Sequence, residues 1–423
     1  MAKKRIQPRL LVADNEGQIY DHPELLMLVR RGHELTLPRP DELIELPASS
    51  DIFLLPERNA LGLNQETAEI EVMDEQPVAA FACPGYTLSA HTAYQTGDNA
   101  PVLPLFAYGA VGYAQGRFWI CAKRVDTDQR QQFERIPQKR IDDGAHRLLK
   151  RYPENRLVRH LSKCALTYCC PAAKNLALGR FEAPIPTAQA CNARCVGCIS
   201  HQEDETGFPA TQQRIAFRPT VREITELMHE HARREKRPIF SFGQGCEGEP
   251  LTEAKRITEA IDAYRRAGGR GTININTNAS LPGTIPALAE AGLDSIRVSL
   301  NSMREPIYTQ YYRPQGYSFS DVLETIRRAK DHSLFVSLNY LFFPGIGDSE
   351  AEFAALAEQI NALQIDFIQM RNLNLDPEYY LALFEEPLSP VMGLPHFLKR
   401  LKKACPHLGI GYFNPFLESR DTA

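Results

Sequence analysis

From residue 184 onward, short stretches of alternating apolar and polar residues are separated by longer stretches with helical spacing. Strand-like runs fall at 186–190, 239–243, 272–277, 296–300, 334–341 and 366–371. Helix-like runs at 220–234, 252–267, 286–291, 320–333 and 349–363 lie between them. Strands alternating with helices predict a parallel sheet with right-handed crossovers. Side chains along a strand point alternately to its two faces. Asn274, Asn276 and Asn278 alternate with Ile273 and Ile275, while Arg297, Ser299 and Asn301 alternate with Ile296, Val298 and Leu300. Ser337 and Asn339 oppose Val336 and Leu338, and Gln369 and Arg371 oppose Ile368 and Met370. The apolar face has to meet the helices, so the polar face turns inward. A barrel packed on itself fills its interior with branched apolar side chains, whereas buried amides and guanidinium groups need partners. The pattern predicts an α/β chain with a partial (β/α)6 barrel built around a polar ligand.

Residues 1–180 read as a separate α+β domain whose fold the pattern does not name. Strand-like runs occur at 9–13, 52–55, 68–72 and 78–82, and a pair at 110–113 and 118–122 is joined through Gln115-Gly116. Helical spacing runs through 22–31, and again between 143 and 161 with a break at Pro153. The barrel is expected over 181–375, and 376–423 form a C-terminal extension with a helix-like run at 394–403 and a strand-like run at 409–413. A chain of 423 residues accommodates two domains and a tail.

A net charge of −4 gives no global basic field, so nucleic acid is not an expected partner. No apolar run is long enough for a membrane span, and Met1-Ala-Lys-Lys-Arg-Ile has no apolar core behind it to make a signal peptide. The ten cysteines are clustered, which fits metal binding in a reducing cytoplasm better than a disulfide framework.

The densest chemistry is Cys191-Asn-Ala-Arg-Cys195-Val-Gly-Cys198, three thiols in one loop. A structural zinc site takes four protein ligands, whereas three leave a position open for a reacting molecule. His201 supplies a fourth ligand in the alternative reading, a zinc-stabilised, non-catalytic binding or scaffold protein. After the second strand-like run comes Gly243-Gln-Gly-Cys-Glu-Gly-Glu249-Pro250, where glycines admit close backbone approach and Glu249 suits an ammonium partner.

Together these segments resemble the radical S-adenosylmethionine (SAM) superfamily over roughly residues 184–376. The C-x3-C-x2-C spacing is similar to its cluster loop. Gly248, Glu249 and Pro250 match its Gly-Gly-Glu-Pro motif, with Glu247 where the first glycine usually stands. The resemblance implies that Cys191, Cys195 and Cys198 hold a [4Fe–4S] cluster whose fourth iron is chelated by SAM. It implies SAM contacts from Gly248, Glu249 and Pro250, from Asn276 and Asn278, from Ser299 and Asn301, and from the turn containing Gly345. It further implies reductive cleavage of SAM to a 5′-deoxyadenosyl radical, hydrogen abstraction from a peptide, protein or small-molecule substrate, and an electron donor such as flavodoxin or ferredoxin. The family usually has an aromatic residue just before the third cysteine, where this chain has Gly197. Arg371, Asn372 and Asn374 are read as substrate-side or SAM-side contacts, and Tyr308, Tyr311, Tyr312 and Tyr317 as helix packing.

A second group, Cys164, Cys169 and Cys170, precedes the barrel. It reads either as a second metal centre, with Cys83 as the distant fourth ligand and His160 behind it, or as small buried residues at a domain junction. Adjacent residues on a strand face opposite ways, so Cys169 and Cys170 can share a metal only in a loop, which Pro171 favours. The expectation is a single cluster, with these cysteines structural.

Overall fold

The computed structural model describes residues 6–203, 206–384 and 389–418. Among them, one parallel sheet runs in chain order through Glu182–Pro184, Ile239–Phe242, Thr272–Thr277, Ser295–Leu300, Phe335–Phe342, Phe367–Asn372 and Gly409–Gly411. Helices α4 (Val221–Arg234), α5 (Ala254–Arg266), α6 (Ile285–Glu290), α7 (Glu305–Tyr312), α8 (Phe319–Asp331) and α9 (Glu350–Ala362) make the crossovers. Before the sheet come α1 (Gln138–Arg151), α2 (Arg156–Leu166) and α3 (Pro171–Leu178); after the sixth strand come α10 (Pro377–Leu381) and α11 (Leu394–Ala404). The apolar strand residues Ile273, Ile275, Ile296, Val298, Val336, Leu338, Ile368 and Met370 are fully buried in one core with the helices. Helix α4 starts at a capping box, Thr220 with Glu223, and Glu223 also pairs with Arg156 of α2 at 2.8 Å. That guanidinium holds the Glu223 carboxyl down to about 2.

Two sequence expectations change in this half. The first strand is Glu182–Pro184 and not 186–190. The ladder ends because the N–H groups of Thr187 and Ala188 donate to the Glu247 carboxylate, at 2.7 and 2.8 Å, instead of to a neighbouring strand. The sheet also has a seventh strand, Gly409–Gly411, paired in parallel with the sixth. The chain beyond it crosses the N-terminal ends of the strands. Asn414 accepts from Gln369 on the sixth strand at 2.7 Å and donates to Glu182 on the first at 2.8 Å and to Ser241 on the second at 3.3 Å. One buried amide thus spans the open side of the partial barrel.

Among the described residues, the N-terminal part is a 14-stranded antiparallel sheet. The strands expected at 9–13, 52–55, 68–72, 78–82, 110–113 and 118–122 are present within it, and Gln115 and Gly116, both at positive φ, turn the last pair. The helix expected over 22–31 is instead strands Ile19–Met27 and Val29–Arg31. Leu25, Leu26 and Met27 are all buried, Leu25 with Leu10, Val12 and Ala60 and Met27 with Val29, Ala110 and Cys121; consecutive strand residues point to opposite faces, so an unbroken apolar run here reflects two-sided packing.

This sheet roofs the barrel. Thr87 donates to the Met370 carbonyl at 2.8 Å, and Leu88 N–H and the Tyr86 carbonyl bond the two ends of the Asn372 amide. Arg58 and Asp376 form a buried ion pair at 3.0 Å, and Asp376 also caps α10.

Candidate active site

The strand register stacks the polar side chains in layers. Ser241, Asn274 and Ser295 form the lowest; Asn276, Arg297 and Ser337 lie above them; Ser299, Asn339 and Gln369 lie higher. The lowest layer is self-satisfied, with Ser295 donating to Asn274 at 2.9 Å. Above it opens a cavity of about 420 Å³, within the range that holds small ligands. Its walls include Cys191, Cys195, Gly248, Glu249, Pro250, Asn276, Asn278, Arg297, Ser299 and Arg371. Phe81, from the N-terminal sheet, closes part of the mouth.

The cysteine loop is held from two sides. Val196 N–H donates to the Tyr311 carbonyl at 2.9 Å and Arg194 N–H to that of Tyr312 at 3.1 Å, which fixes the loop on the end of α7. On the other side, Gly248 and Glu249 donate to the carbonyls of Ala188 and Ala190 at 2.7 and 2.9 Å. A Cβ on Gly248 would sit 1.9 Å from the Ala190 oxygen, so this close approach requires glycine. Asn192 is anchored by Asn278 at 2.9 Å and by Ser280 at 2.8 Å. Burial pushes the Cys191 and Cys195 thiols up, and the neighbouring Cys198 and Cys191 push Cys195 further the same way. Arg214 reaches the Cys198 sulfur at 3.7 Å. His201 is exposed.

Two buried glutamates organise the glycine loop. Glu247, in the place of a glycine, accepts from Thr187 and Ala188 on one oxygen and from Gly243 and Gln244, both at 2.7 Å, on the other. Glu249 accepts from Asn278 N–H at 2.8 Å, from Leu251 N–H at 3.0 Å and from the Thr277 hydroxyl, while still lining the cavity. Burial pushes both carboxyls up to about 7, against the pull of these donors.

Asn301 and Gly345 lie elsewhere. Asn301 is tucked behind α7, donating to the Ile307 carbonyl at 3.2 Å and to the Tyr380 hydroxyl at 2.9 Å. Gly345, at φ 97°, packs on Gly32 of the N-terminal sheet, where a Cβ would fall 2.0 Å from its nitrogen. Tyr311 and Tyr312, read from sequence as packing, line the cavity. A Cβ on Gly197 would come 2.7 Å from the Tyr311 hydroxyl, so the small residue before the third cysteine leaves room for an aromatic ring from α7. That exchange across more than a hundred positions has no signature in either segment alone. Tyr308 and Tyr317 do pack, hydroxyl to hydroxyl at 3.0 Å.

The cavity keeps polar atoms unspent: Arg297 Nε, Tyr312 Oη and Asn374 Oδ1 are buried without partners among the described residues. Arg297 donates to Gln369 at 2.9 Å, and Arg371 lies 4.0 Å over the Tyr412 ring. Burial, then the charge of Arg371, lowers Arg297 to about 10.

Of the cysteines before the barrel, Cys164 and Cys170 stay in one small apolar cluster, whereas Cys169 and Cys83 lie apart from it. Cys169 is exposed at φ 52°, Cys170 is half-buried, and Cys83 lies beyond Gln76–Phe81 with its N–H on Ser50. Cys164 instead faces His160 and Cys246. Among the described residues no helix is long and apolar enough to cross a membrane.

Residues 185–357 match the radical SAM superfamily. The chain is 28% identical over 230 residues to GTP 3′,8-cyclase of Chlorobaculum tepidum, covering 53% of this chain and 62% of that protein. It is 26% identical over 224 residues to a probable dual-specificity RNA methyltransferase RlmN of Synechococcus sp., covering 50% and 63%. The chain therefore spans less than two thirds of either relative. The structure of Streptococcus suis SuiB bound to S-adenosylmethionine aligns with a TM-score of 0.37 at 13% identity, over 75% of this chain and 72% of that one. Residues 185–357, which make up most of the barrel, are therefore a radical SAM domain, the domain of a class of iron–sulfur and SAM-binding enzymes.

Proposed function

We propose that Cys191, Cys195 and Cys198 hold a [4Fe–4S] cluster at the cavity mouth and that the wall from Gly248 to Pro250, with Asn276, Asn278 and Ser299, receives SAM. The observation that carries this reading is the lock between the cysteine loop and the glycine loop, which sets Cys191, Cys195 and the Glu249 carboxylate on the wall of one polar cavity, while Cys198 lines an adjoining pocket with Cys195. When bound, the cluster and SAM supply an electron and a 5′-deoxyadenosyl radical for hydrogen abstraction. The chain's own part is positional. Glu249 offers a carboxylate to the methionine ammonium; Tyr311 offers the ring that Gly197 lacks; Asn301 and Gly345 act at a distance, by seating α7 and the roof. Phe81 and the N-terminal sheet limit water at the mouth. Arg297 and Arg371 have no ion-pair partner among the described residues, which fits a carboxylate or phosphate on a ligand. An external donor such as flavodoxin or ferredoxin and a reducing cytoplasm complete the reading.

Anaerobic reconstitution tests it. The wild-type chain should carry about four irons beyond any zinc and release 5′-deoxyadenosine from SAM under reduction. Alanine at Cys191, Cys195 or Cys198 should abolish both while leaving the far-ultraviolet circular dichroism unchanged. A colourless protein with zinc in this loop overturns the assignment in favour of a scaffold.

A further inference from the structure

Outside the cavity, His160, Cys164 and Cys246 bring one nitrogen and two sulfurs within 4.8 Å of one another. His160 and Cys164 are one turn apart on α2, so both face the same way. Cys246 comes from the glycine loop. Cys164 and Cys246 are 1% and 5% exposed, in an apolar cluster with Ala165 and Ala173, against which Cys170 and Tyr168 pack. The His160 Nε2 to Cys164 Sγ distance is 3.6 Å. Tetrahedral zinc, with bonds of about 2.3 Å to sulfur and about 2.0 Å to nitrogen, separates its ligands by about 3.5–3.8 Å. A four-iron cubane needs its thiolates further apart, each on its own iron. The donor set and its closeness fit one small ion.

We infer that His160, Cys164 and Cys246 form a mononuclear zinc site, with Cys170 as the fourth ligand, that staples α2 to the loop carrying Glu247 and Glu249. Cys170 N–H already donates to the Cys164 carbonyl at 3.0 Å, which turns the chain back toward the pair. Binding releases the thiol protons and changes no oxidation state. The site is structural, because every ligand comes from the protein and none of its atoms faces the cavity. Its effect on catalysis is indirect: Cys246 precedes the glutamate that bonds Thr187 and Ala188 below the cysteine loop.

The test is metal content of the full chain purified anaerobically from zinc-supplemented cells. One zinc per chain is expected, lost in Cys164→Ser and in Cys246→Ser but kept in Cys191→Ala. Those two serine variants should keep their iron, so failure here is distinguishable from failure of the cluster assignment. Should the serine variants not fold, zinc X-ray absorption on the wild-type protein decides, with a mixed sulfur and nitrogen shell expected. Zinc absent from the wild type, zinc that survives both serine variants, zinc lost with Cys191→Ala, an all-sulfur shell, or about eight irons per chain would each overturn the site.

Discussion

Glu247 shows how one substitution relative to a family pattern can be structural. A glycine there would leave the N–H groups of Thr187, Ala188, Gly243 and Gln244 without an acceptor, in a region the helices keep dry. The carboxylate serves all of them and the Thr187 hydroxyl besides. Glutamine has nearly the same shape but turns an NH2 toward donors. Glu247→Gln should therefore lose about 3 kcal/mol, since hydrogen bonds to a charged group are worth about 1.5–3 kcal/mol each. Thermal unfolding measures this, with the exposed Glu16→Gln as the control. Equal melting temperatures for both variants would show that the carboxylate does not clamp the loop.

At the scale of elements, the barrel was legible because each strand obeys two rules at once, apolar toward the helices and polar toward the lumen. Asn276, Arg297, Ser299 and Asn339 all line the cavity as their alternation predicts. The rule fails where packing is two-sided, as at Leu25 to Met27, and where a side chain replaces a strand neighbour, as at Thr187 and Ala188. The cysteine loop was readable from spacing. The His160, Cys164 and Cys246 group was not, because its members meet only after the second strand has folded against α2. The tail's helix and strand were readable as well, but not that Gly409–Gly411 joins the sheet beside the sixth strand, since three residues carry no side-chain pattern that names a neighbour. The tail's work rests on Asn414. Asn414→Ala should cost about 2–4 kcal/mol by leaving Gln369 and Glu182 unpaired. Asn414→Asp, though nearly the same shape, should be worse than alanine because it opposes the Glu182 carboxylate. Melting temperatures in the order wild type, alanine, aspartate are expected; aspartate above alanine would mean the tail does not bridge the strands.

For the whole molecule, the N-terminal sheet and the barrel depend on each other through groups that neither half can satisfy alone. Arg58 and Asp376 are 2% and 4% exposed, and removing one partner of such a pair costs about 3–5 kcal/mol. Arg39 donates to the Met392 carbonyl, and Tyr412 N–H donates to Asp126 at 2.9 Å. The full chain should unfold in one thermal transition, and a fragment ending just after the last strand of the N-terminal sheet, Arg117–Arg124, should be insoluble; a soluble fragment with a cooperative melt would show the sheet to be independent.

The ion pair also sets a clock. Arg58 and Asp376 lie 318 positions apart, so at ~10 residues per second a ribosome needs about half a minute to deliver the counter-ion after the guanidinium has emerged. Through that interval the nascent sheet carries an arginine that cannot be buried, and its apolar edge waits for the barrel. The length of time for which the sheet waits, incompletely buried, for the barrel is thus set by the sequence separation of two residues.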